Sequence, residues 1–421
     1  MQRFLVVTCL LSMLATVSVG GVVSGAAVPA AAPRWKAGTI RISISQSLLQ
    51  YSPNIKSDSD IRTAIRHSID AWRSAADIEI LQDVSDKQSI SPSGSSGDGV
   101  SLITISQTPE NVLLFKNDLE SAAKTRLFVN RRGLITEADI VLSPFQQFST
   151  DGTFGTFDVE TTIKHEIGHL LGLRHSSVVG SMMYSAIPKN GVFGEFGISN
   201  GRVTSDDISA IRDLYGDGSF EDCCGIVAGR LSGVTRNSRG VEVWLRDASS
   251  GSVAGHAIAG KDGTFRIGGV SSGLFDVFAH ESGRSMRTSI AELGRVSVTN
   301  GETIGFSRRL SRQPIDFSLE MLGKNGILSE SGLVLRRGRT YELYIGGRNL
   351  ASDKLQIEVG SQFMNVDQGS VADNEYDGRI SGMKFSMSID ASTPAGLYDV
   401  CVVAPAGERD CIVGGIAVVD E

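Results

Sequence analysis

The residues from His165 to His175 read His-Glu-Ile-Gly-His-Leu-Leu-Gly-Leu-Arg-His and hold three of the six histidines of this 421-residue chain. On a helix, His165 and His169 leave the same face one turn apart. Gly172 can adopt the left-handed conformation that ends a helix, and this turn would bring His175 back as a third nitrogen ligand. Three histidines that leave one coordination position open are typical of catalytic zinc.

Glu166 follows the first histidine and can reach a water held at the metal. Zinc acidifies such a water and polarises a peptide carbonyl. Glu166 would accept the proton and pass it to the leaving amine. The alternative interpretation is an amphipathic core helix that carries histidines by chance, but such a helix needs no third histidine after a glycine. The spacing therefore predicts one catalytic Zn²⁺ bound by His165, His169 and His175, with Glu166 as general base.

The histidine pattern resembles the extended motif of the metzincins, and the residues after it resemble the matrixin (matrix metalloproteinase) branch. Ser176 stands where astacins carry Glu and reprolysins carry Asp. Met183, eight residues past the third histidine, stands at the position of the structural Met-turn beneath the zinc, whereas the offset of Met182 is one residue short. The run TSDDISAIRDLYG from Thr204 resembles the last helix of matrixin catalytic domains. The resemblance covers residues 35–216 and implies a metalloendopeptidase with an α+β metzincin catalytic domain, built on a twisted mixed sheet and the active-site helix.

A hairpin is predicted between Arg126 and Ser143. In matrixins this region contains the edge strand that pairs antiparallel with an extended substrate, and main-chain pairing of that kind holds a peptide straight. The alternative is an ordinary edge strand without a ligand. The resemblance thus implies that five residues line the substrate cleft: Arg126, Leu127, Phe128, Val129 and Asn130.

Several features depart from the matrixin pattern. No cysteine lies between Cys9 and Cys223, so we expect no cysteine-switch control of latency. Residues 185–203 lack the usual Pro-x-Tyr pattern of the specificity loop, so substrate preference is not predicted. His67 lies off the apolar face of its predicted helix and is expected to face solvent. Calcium is an open alternative, with three acids as candidate ligands that are otherwise solvated or capping: Asp139, Asp151 and Asp158.

Residues 1–30 read as a signal peptide, with Arg3, a long apolar run and small residues before Ala26 and Ala30. We therefore expect a secreted protein with no transmembrane span after cleavage. A retained membrane anchor is the alternative, because the apolar run is close to spanning length. The net charge of −7 and the lack of a Lys/Arg cluster argue against a nucleic-acid partner.

The C-terminal half predicts two all-β sandwich modules after a linker at residues 217–224, because short strands alternate with turn signals. Residues 225–311 resemble a carboxypeptidase regulatory-like module of transthyretin-like topology. Residues 314–421 resemble an immunoglobulin-like IPT/TIG module. We expect these modules to bind protein, carbohydrate or a surface, or to act as spacers. His256 and His280 are expected at the surface.

Cysteine usage fits an exported protein. Cys401 and Cys411 flank a hairpin-like turn, which predicts a disulfide between them. Cys223 and Cys224 are adjacent, so a bond between them would be strained. A cross-link to another chain and two free thiols are the alternatives.

Together these features predict an exported zinc-dependent endopeptidase acting on proteins or peptides. One alternative is a catalytically silent zinc-containing adhesion protein that acts through its β modules. An intact Glu166 argues against it, since a binding protein needs no base beside the metal. A second alternative is a zinc hydrolase acting on a non-peptide amide.

Overall fold

The protein was analysed as a computed structural model that describes residues 32–191, 201–216, 223–234, 240–281, 287–376 and 380–419. The predicted signal peptide, residues 217–222 of the predicted linker and residues 192–200 of the predicted specificity loop lie outside the described residues. Buried apolar side chains form three large clusters, within residues 40–211, 227–310 and 317–418, and the last of these also includes Val179.

The first cluster lies in a region of mixed α and β structure. Its elements are β1 (Thr39–Ser45), α1 (Gln46–Leu49), α2 (Ile61–Arg73), β2 (Glu79–Ser85), β3 (Ser101–Thr104), α3 (Pro109–Leu113), β4 (Ala123–Val129), β5 (Ile135–Leu142), β6 (Phe148–Ser149), β7 (Phe157–Asp158), α4 (Val159–Leu170) and α5 (Ser205–Tyr215). Five strands form one sheet in the order β2-β1-β3-β5-β4. Strand β4 pairs antiparallel with β5, and the other pairs are parallel. The sheet is therefore mixed, β4 lies at one edge, and the predicted hairpin is present.

Helix α4 carries the first two histidines and packs against α2. Asp158 caps it by accepting a hydrogen bond from the backbone N–H of Thr161 at 2.7 Å. The apolar face of α2 ends at Trp72, whose side chain is fully buried. The indole Nε1–H of Trp72 donates to the carbonyl of Lys164 at 2.8 Å. Because a buried indole needs a partner for its N–H, this bond fixes α2 against the middle of α4.

The second cluster fills a two-sheet β sandwich. Its strands are β8 (Gly225–Ser232), β9 (Val241–Asp247), β10 (Val253–Ala259), β11 (Thr264–Val270), β12 (Gly273–Glu281), β13 (Arg287–Thr288), β14 (Ala291–Val298), β15 (Thr303–Gly305) and β16 (Arg308–Arg309). One sheet has the order β10-β9-β12-β14 and the other β11-β8-β15, with β16 beside β8. We call this unit the middle module.

The third cluster fills another β sandwich, which we call the last module. Its strands are β17 (Pro314–Ile315), β18 (Ser318–Lys324), β19 (Ile327–Ser329), β20 (Leu333–Arg336), β21 (Thr340–Arg348), β22 (Gln356–Val359), β23 (Met364–Glu375), β24 (Ser381–Ile389), β25 (Gly396–Val403) and β26 (Arg409–Val419). Its sheets have the orders β19-β18-β21-β24-β23 and β20-β26-β25-β22, and β17 pairs with β13 of the middle module. The C-terminal region is β-rich, as predicted.

All four cysteines of the described residues are in disulfides. Cys401 on β25 is bonded to Cys411 on β26, opposite it in the antiparallel register. Cys223 is bonded to its neighbour Cys224. Of the alternatives left open by the sequence for this adjacent pair, the structure contains the intramolecular bond.

Among the described residues, no helix has the length and apolar character needed to span a membrane.

We predict that Trp72→Phe destabilises the fold by about 1–3 kcal/mol, because it leaves a gap and removes the hydrogen bond to α4. The free energy of unfolding from urea titration measures the loss. Tyr51→Phe is the matched control, since Tyr51 is 85% exposed, and it should leave the unfolding free energy unchanged. Equal values for the two variants would contradict the role given to Trp72.

Candidate metal centre

Three imidazoles converge at the C-terminal end of α4. The Nε2 atom of His175 lies 3.3 Å from Nε2 of His165 and 3.0 Å from Nε2 of His169. Within the described parts of the chain, these three residues form the one group of three or more His, Cys, Asp or Glu with ligand atoms close enough to share a metal ion. The structure therefore brings together the three histidines that the sequence singled out.

Backbone carbonyls fix the protonation state of two of these rings. The Nδ1 atom of His165 lies 2.7 Å from the carbonyl oxygen of Met182, and Nδ1 of His169 lies 2.9 Å from that of Leu173. A carbonyl only accepts, so each Nδ1 carries the proton and each Nε2 presents a lone pair. Metal-binding histidines are oriented by such partners.

The donor set fits zinc. Nε2 of His165 and Nε2 of His169 carry no proton, so both present lone pairs to a cation bound between the three rings. Tetrahedral bonds of about 2.0–2.1 Å would place the nitrogens roughly 3.3 Å apart, close to the spacing of His165 and His175. Burial, together with the neighbouring histidines, lowers the pKa of His165 to about 3 and that of His175 to about 4, and burial also lowers the pKa of His169. The rings are neutral at neutral pH, as metal binding requires.

Gly172 makes the turn that returns His175 to α4. Its φ is +98°, a conformation that favours glycine. A Cβ at this position would lie 1.9 Å from the carbonyl oxygen of Pro33. Two constraints thus require glycine here, and the sequence indicated only the first of them.

Glu166 is buried beside the histidines and faces β4. Its Oε2 accepts a hydrogen bond from the hydroxyl of Thr125 at 2.5 Å. Burial raises the pKa of this carboxyl to about 7. Thr125 was not singled out from the sequence, because nothing in a strand pattern indicates which residue will reach a helix 41 positions later.

The two methionines of the predicted Met-turn have different roles. Met183 is buried, and its side chain together with Trp72 occupies the space beside Gly168, where a Cβ would lie 2.3 Å from the methionine sulfur. Met182 contributes its carbonyl to His165. The sequence indicated Met182 as the weaker Met-turn candidate because its offset from His175 is one residue short, and this offset does not indicate the role of its backbone carbonyl.

Asp207, near the start of α5, fixes this turn, and the sequence did not single it out. Its carboxylate accepts from the backbone N–H of Met182 at 2.8 Å and of Met183 at 3.0 Å, and from the Ser181 hydroxyl. The adjacent Asp206 accepts from the hydroxyl of Ser176 at 2.6 Å. Burial, with the neighbouring charge of Asp207, raises the pKa of Asp206.

The predicted cleft residues lie on and just after the edge strand β4. Among them, Arg126 donates to the Ser91 carbonyl and to Glu110. Its side chain therefore holds the loop at Ser91 and the start of α3. Phe128 is buried and Val129 is exposed. Asn130 follows the strand, and its side chain accepts from turn backbone N–H groups. Leu127 is partly buried against the first core.

The three acids considered for calcium have separate partners. Asp139 accepts from the backbone N–H groups of Ser91 and Leu102, Asp151 pairs with Lys56, and Asp158 caps α4. They do not form a shared site among the described residues.

The structure also locates the three remaining histidines. His67 is exposed, as expected, and lies 3.0 Å from Glu160. The surface positions predicted for His256 and His280 are wrong, because both are half-buried. His256 of the middle module contacts Ser177, which lies two residues after His175.

Comparison with known proteins identifies a matrixin domain. Residues 116–216 match the family Peptidase_M10, matrixin. The chain is 26% identical to metalloendoproteinase 1 of Glycine max over 44% of this chain and 53% of that protein. It is 25% identical to matrix metalloproteinase-20 of Homo sapiens over 44% of this chain and 32% of that protein. The chain thus spans about half the length of the first relative and about a third of the second.

Two further matches are shorter or weaker. Metalloendoproteinase 2-MMP of Arabidopsis thaliana is 46% identical over 14% of each chain. A solved structure of the Bacteroides ovatus protein SGBP-B, with a mixed-linkage heptasaccharide, aligns over 48% of this chain and 44% of that chain at 11% identity. Its TM-score of 0.16 does not indicate a shared fold.

We predict that Gly172→Ala costs about 2–4 kcal/mol of stability, from the positive φ and from overlap with Pro33. Urea titration measures this loss. The control is Gly133→Ala, where φ is +77° and a Cβ would meet nothing within 4 Å, so only the backbone cost applies. If both variants lose the same amount, the overlap with Pro33 has no energetic weight.

Proposed function

We propose that this protein is an exported zinc-dependent endopeptidase. The observation that carries the proposal is the convergence of the Nε2 atoms of three neutral imidazole rings beside the buried carboxyl of Glu166. The match of residues 116–216 to the matrixins supports it independently. The metal ligands would be His165, His169 and His175.

Zinc, when bound, supplies a Lewis acid that acidifies water and polarises the carbonyl of the scissile peptide. The residues of the chain supply the remaining steps. The Glu166 carboxylate is the proton acceptor on the side of α4 that faces the metal site. The Thr125 hydroxyl donates to one of its oxygens, which leaves the other oxygen to accept the proton. Glu166 takes the proton from the attacking water and then gives it to the leaving amine. Met183 packs beneath the histidine helix and keeps water away from that side.

The substrate would be a protein or peptide held extended along β4. In the part of the chain that the structure describes, this strand has a sheet partner on one side only, so its other edge offers main-chain donors and acceptors to a peptide. Residues 126–130 would line the cleft at this edge through their main chain. Because Thr125 lies on the same strand, the strand that aligns the substrate would also orient the base.

Export would follow from residues 1–30 acting as a signal peptide. In this proposal residues 35–216 are the catalytic domain, residues 217–224 the linker, and residues 225–311 and 314–421 the carboxypeptidase regulatory-like and IPT/TIG-like modules. The two disulfides support an oxidising compartment.

We predict that Glu166→Gln lowers the turnover of casein by about 10²–10⁴-fold while bound zinc stays stoichiometric, because the variant removes the proton acceptor and no metal ligand. Initial rates and elemental analysis of the full-length chain measure the two quantities. Glu302→Gln is the matched control, since Glu302 is exposed in the middle module, and it should match the wild type.

Two results would contradict the proposal. Equal turnover by Glu166→Gln and wild type would remove Glu166 from the role of base. A wild-type chain that binds zinc but cleaves neither casein nor a peptide library would instead favour an adhesion protein. A chelator should abolish turnover, and added Zn²⁺ should restore it.

A further inference from the structure

The loop between the third histidine and the Met-turn reaches into both β modules. We call residues 176–184 the metal loop. At its base, the backbone N–H of Ser176 donates to the carbonyl of Met183 at 2.8 Å, and Ser176 forms a bridge with Tyr184. The base therefore holds the residue after His175 and the Met182 carbonyl that orients His165.

The tip of the metal loop is joined to the last module by backbone hydrogen bonds. The backbone N–H of Val179 donates to the carbonyl of Val413 at 2.9 Å, and that of Gly180 to the carbonyl of Gly414 at 3.1 Å. Val179 is itself part of the core cluster of this module. The tip is therefore fixed by main-chain bonds as well as by apolar contact.

Val178 sits where all three parts of the protein meet. It is fully buried in a separate apolar cluster whose other members come from the middle and last modules: Trp244, Val253, Phe278, Ile290, Leu397 and Ala417. A Cβ at Gly414, where φ is +64°, would lie 2.4 Å from Val178, and a Cβ at Gly180 would lie 2.5 Å from the side chain of Leu397. The fit leaves no room for a larger residue at either glycine.

Polar contacts surround this apolar cluster. The hydroxyl of Ser177 lies 2.7 Å from Nε2 of His256 on β10. The buried carboxylate of Asp399 accepts from the indole N–H of Trp244 at 3.2 Å and from the backbone N–H of Gly414 at 2.9 Å. Asp399 thereby joins the two modules at the point where the loop tip binds.

Helix α5 gives the modules a second contact with the same turn. Its Ser209 hydroxyl donates to the carbonyl of Gly268 at 2.7 Å, and its Asp213 forms an ion pair with Arg266. Both partners lie on β11. The same helix carries Asp207, which holds the backbone of Met182 and Met183. The modules thus support the Met182 carbonyl from the loop tip and from α5.

We propose that the two β modules position the metal loop, so that the affinity of the histidine cluster for zinc depends on them. The inference rests on the proposed zinc-binding function. Val178 and Leu397 are positioning residues: they touch neither metal nor substrate and act through the Met182 carbonyl and the backbone beside His175. The modules are then a structural part of the metal centre.

The test uses full-length variants and measures the zinc dissociation constant by competition with a chromophoric chelator. Val178→Ala changes the loop tip, and Leu397→Ala changes its receptor more than 200 residues away in the sequence. Each should raise the dissociation constant by about 10–100-fold, the range for loss of support around metal ligands. Turnover at saturating zinc should change less than zinc affinity.

The matched control is Leu343→Ala. Leu343 is fully buried in the same module as Leu397 but lies on β21, in the sheet that does not receive the loop. It should lower the melting temperature as much as Leu397→Ala while its zinc affinity stays within about twofold of wild type. Equal loss of affinity in all three variants, or wild-type affinity in both test variants, would overturn the inference.

Ser177→Ala covers the case in which a cavity variant fails to fold, because it removes only the hydroxyl that contacts His256. It should raise the dissociation constant by about 2–10-fold, the range for one hydrogen bond, and an unchanged constant would count against the inference. A wild-type chain that binds no zinc would overturn the proposed function itself.

Discussion

The hydrogen bonds that join Nδ1 of His165 and Nδ1 of His169 to backbone carbonyls are the constraint on which the candidate metal centre depends. The Nε2 atoms approach to 3.0 and 3.3 Å, and the Nδ1 protons of His165 and His169 are committed to backbone carbonyls. Rotating either ring would break its hydrogen bond to the carbonyl and turn its Nε2 lone pair away from the other rings. The two carbonyl groups therefore hold the rings of His165 and His169 in an arrangement that favours the binding of a cation.

These two carbonyls are held by parts of the chain that are distant in sequence. Leu173 follows the Gly172 turn, which packs against Pro33, and nearby Trp35 donates its indole N–H to the carbonyl of Leu170 at 2.8 Å. Met182 is held by Asp207 and, beyond it, by the β modules. The N-terminal segment thus supports the carbonyl that orients His169, and the C-terminal half supports the carbonyl that orients His165.

Much of the local structure could be predicted from the sequence, because it depends on neighbouring residues. The histidine spacing, the hairpin and the cap of α4 at Asp158 are set by periodicity and by local hydrogen bonding. The alternation of short strands likewise predicted a β-rich C-terminal region. Each of these signals lies within one element and needs no knowledge of how elements pack.

The supporting residues could not be predicted in the same way. Thr125 and Glu166 are 41 positions apart, and Ser177 and His256 are 79 apart. Their contacts depend on the relative placement of whole elements. His256 shows the physical reason: a histidine on an exposed-looking strand is half-buried because a loop from another part of the chain covers it. A sequence pattern reports the face of a strand but not what packs on that face.

The edge strand β4 connects the two tasks of the proposed enzyme. Successive side chains of a strand point to opposite faces, and here Thr125 reaches Glu166 on α4 while Arg126 holds the Ser91 carbonyl and Glu110 on the other face. The strand is thereby anchored from both faces. A peptide paired with the edge of β4 would have its scissile carbonyl placed by the same backbone that places the base. One strand would then position both the substrate and the general base, so the reacting groups would be held in a fixed geometry, as an efficient reaction requires.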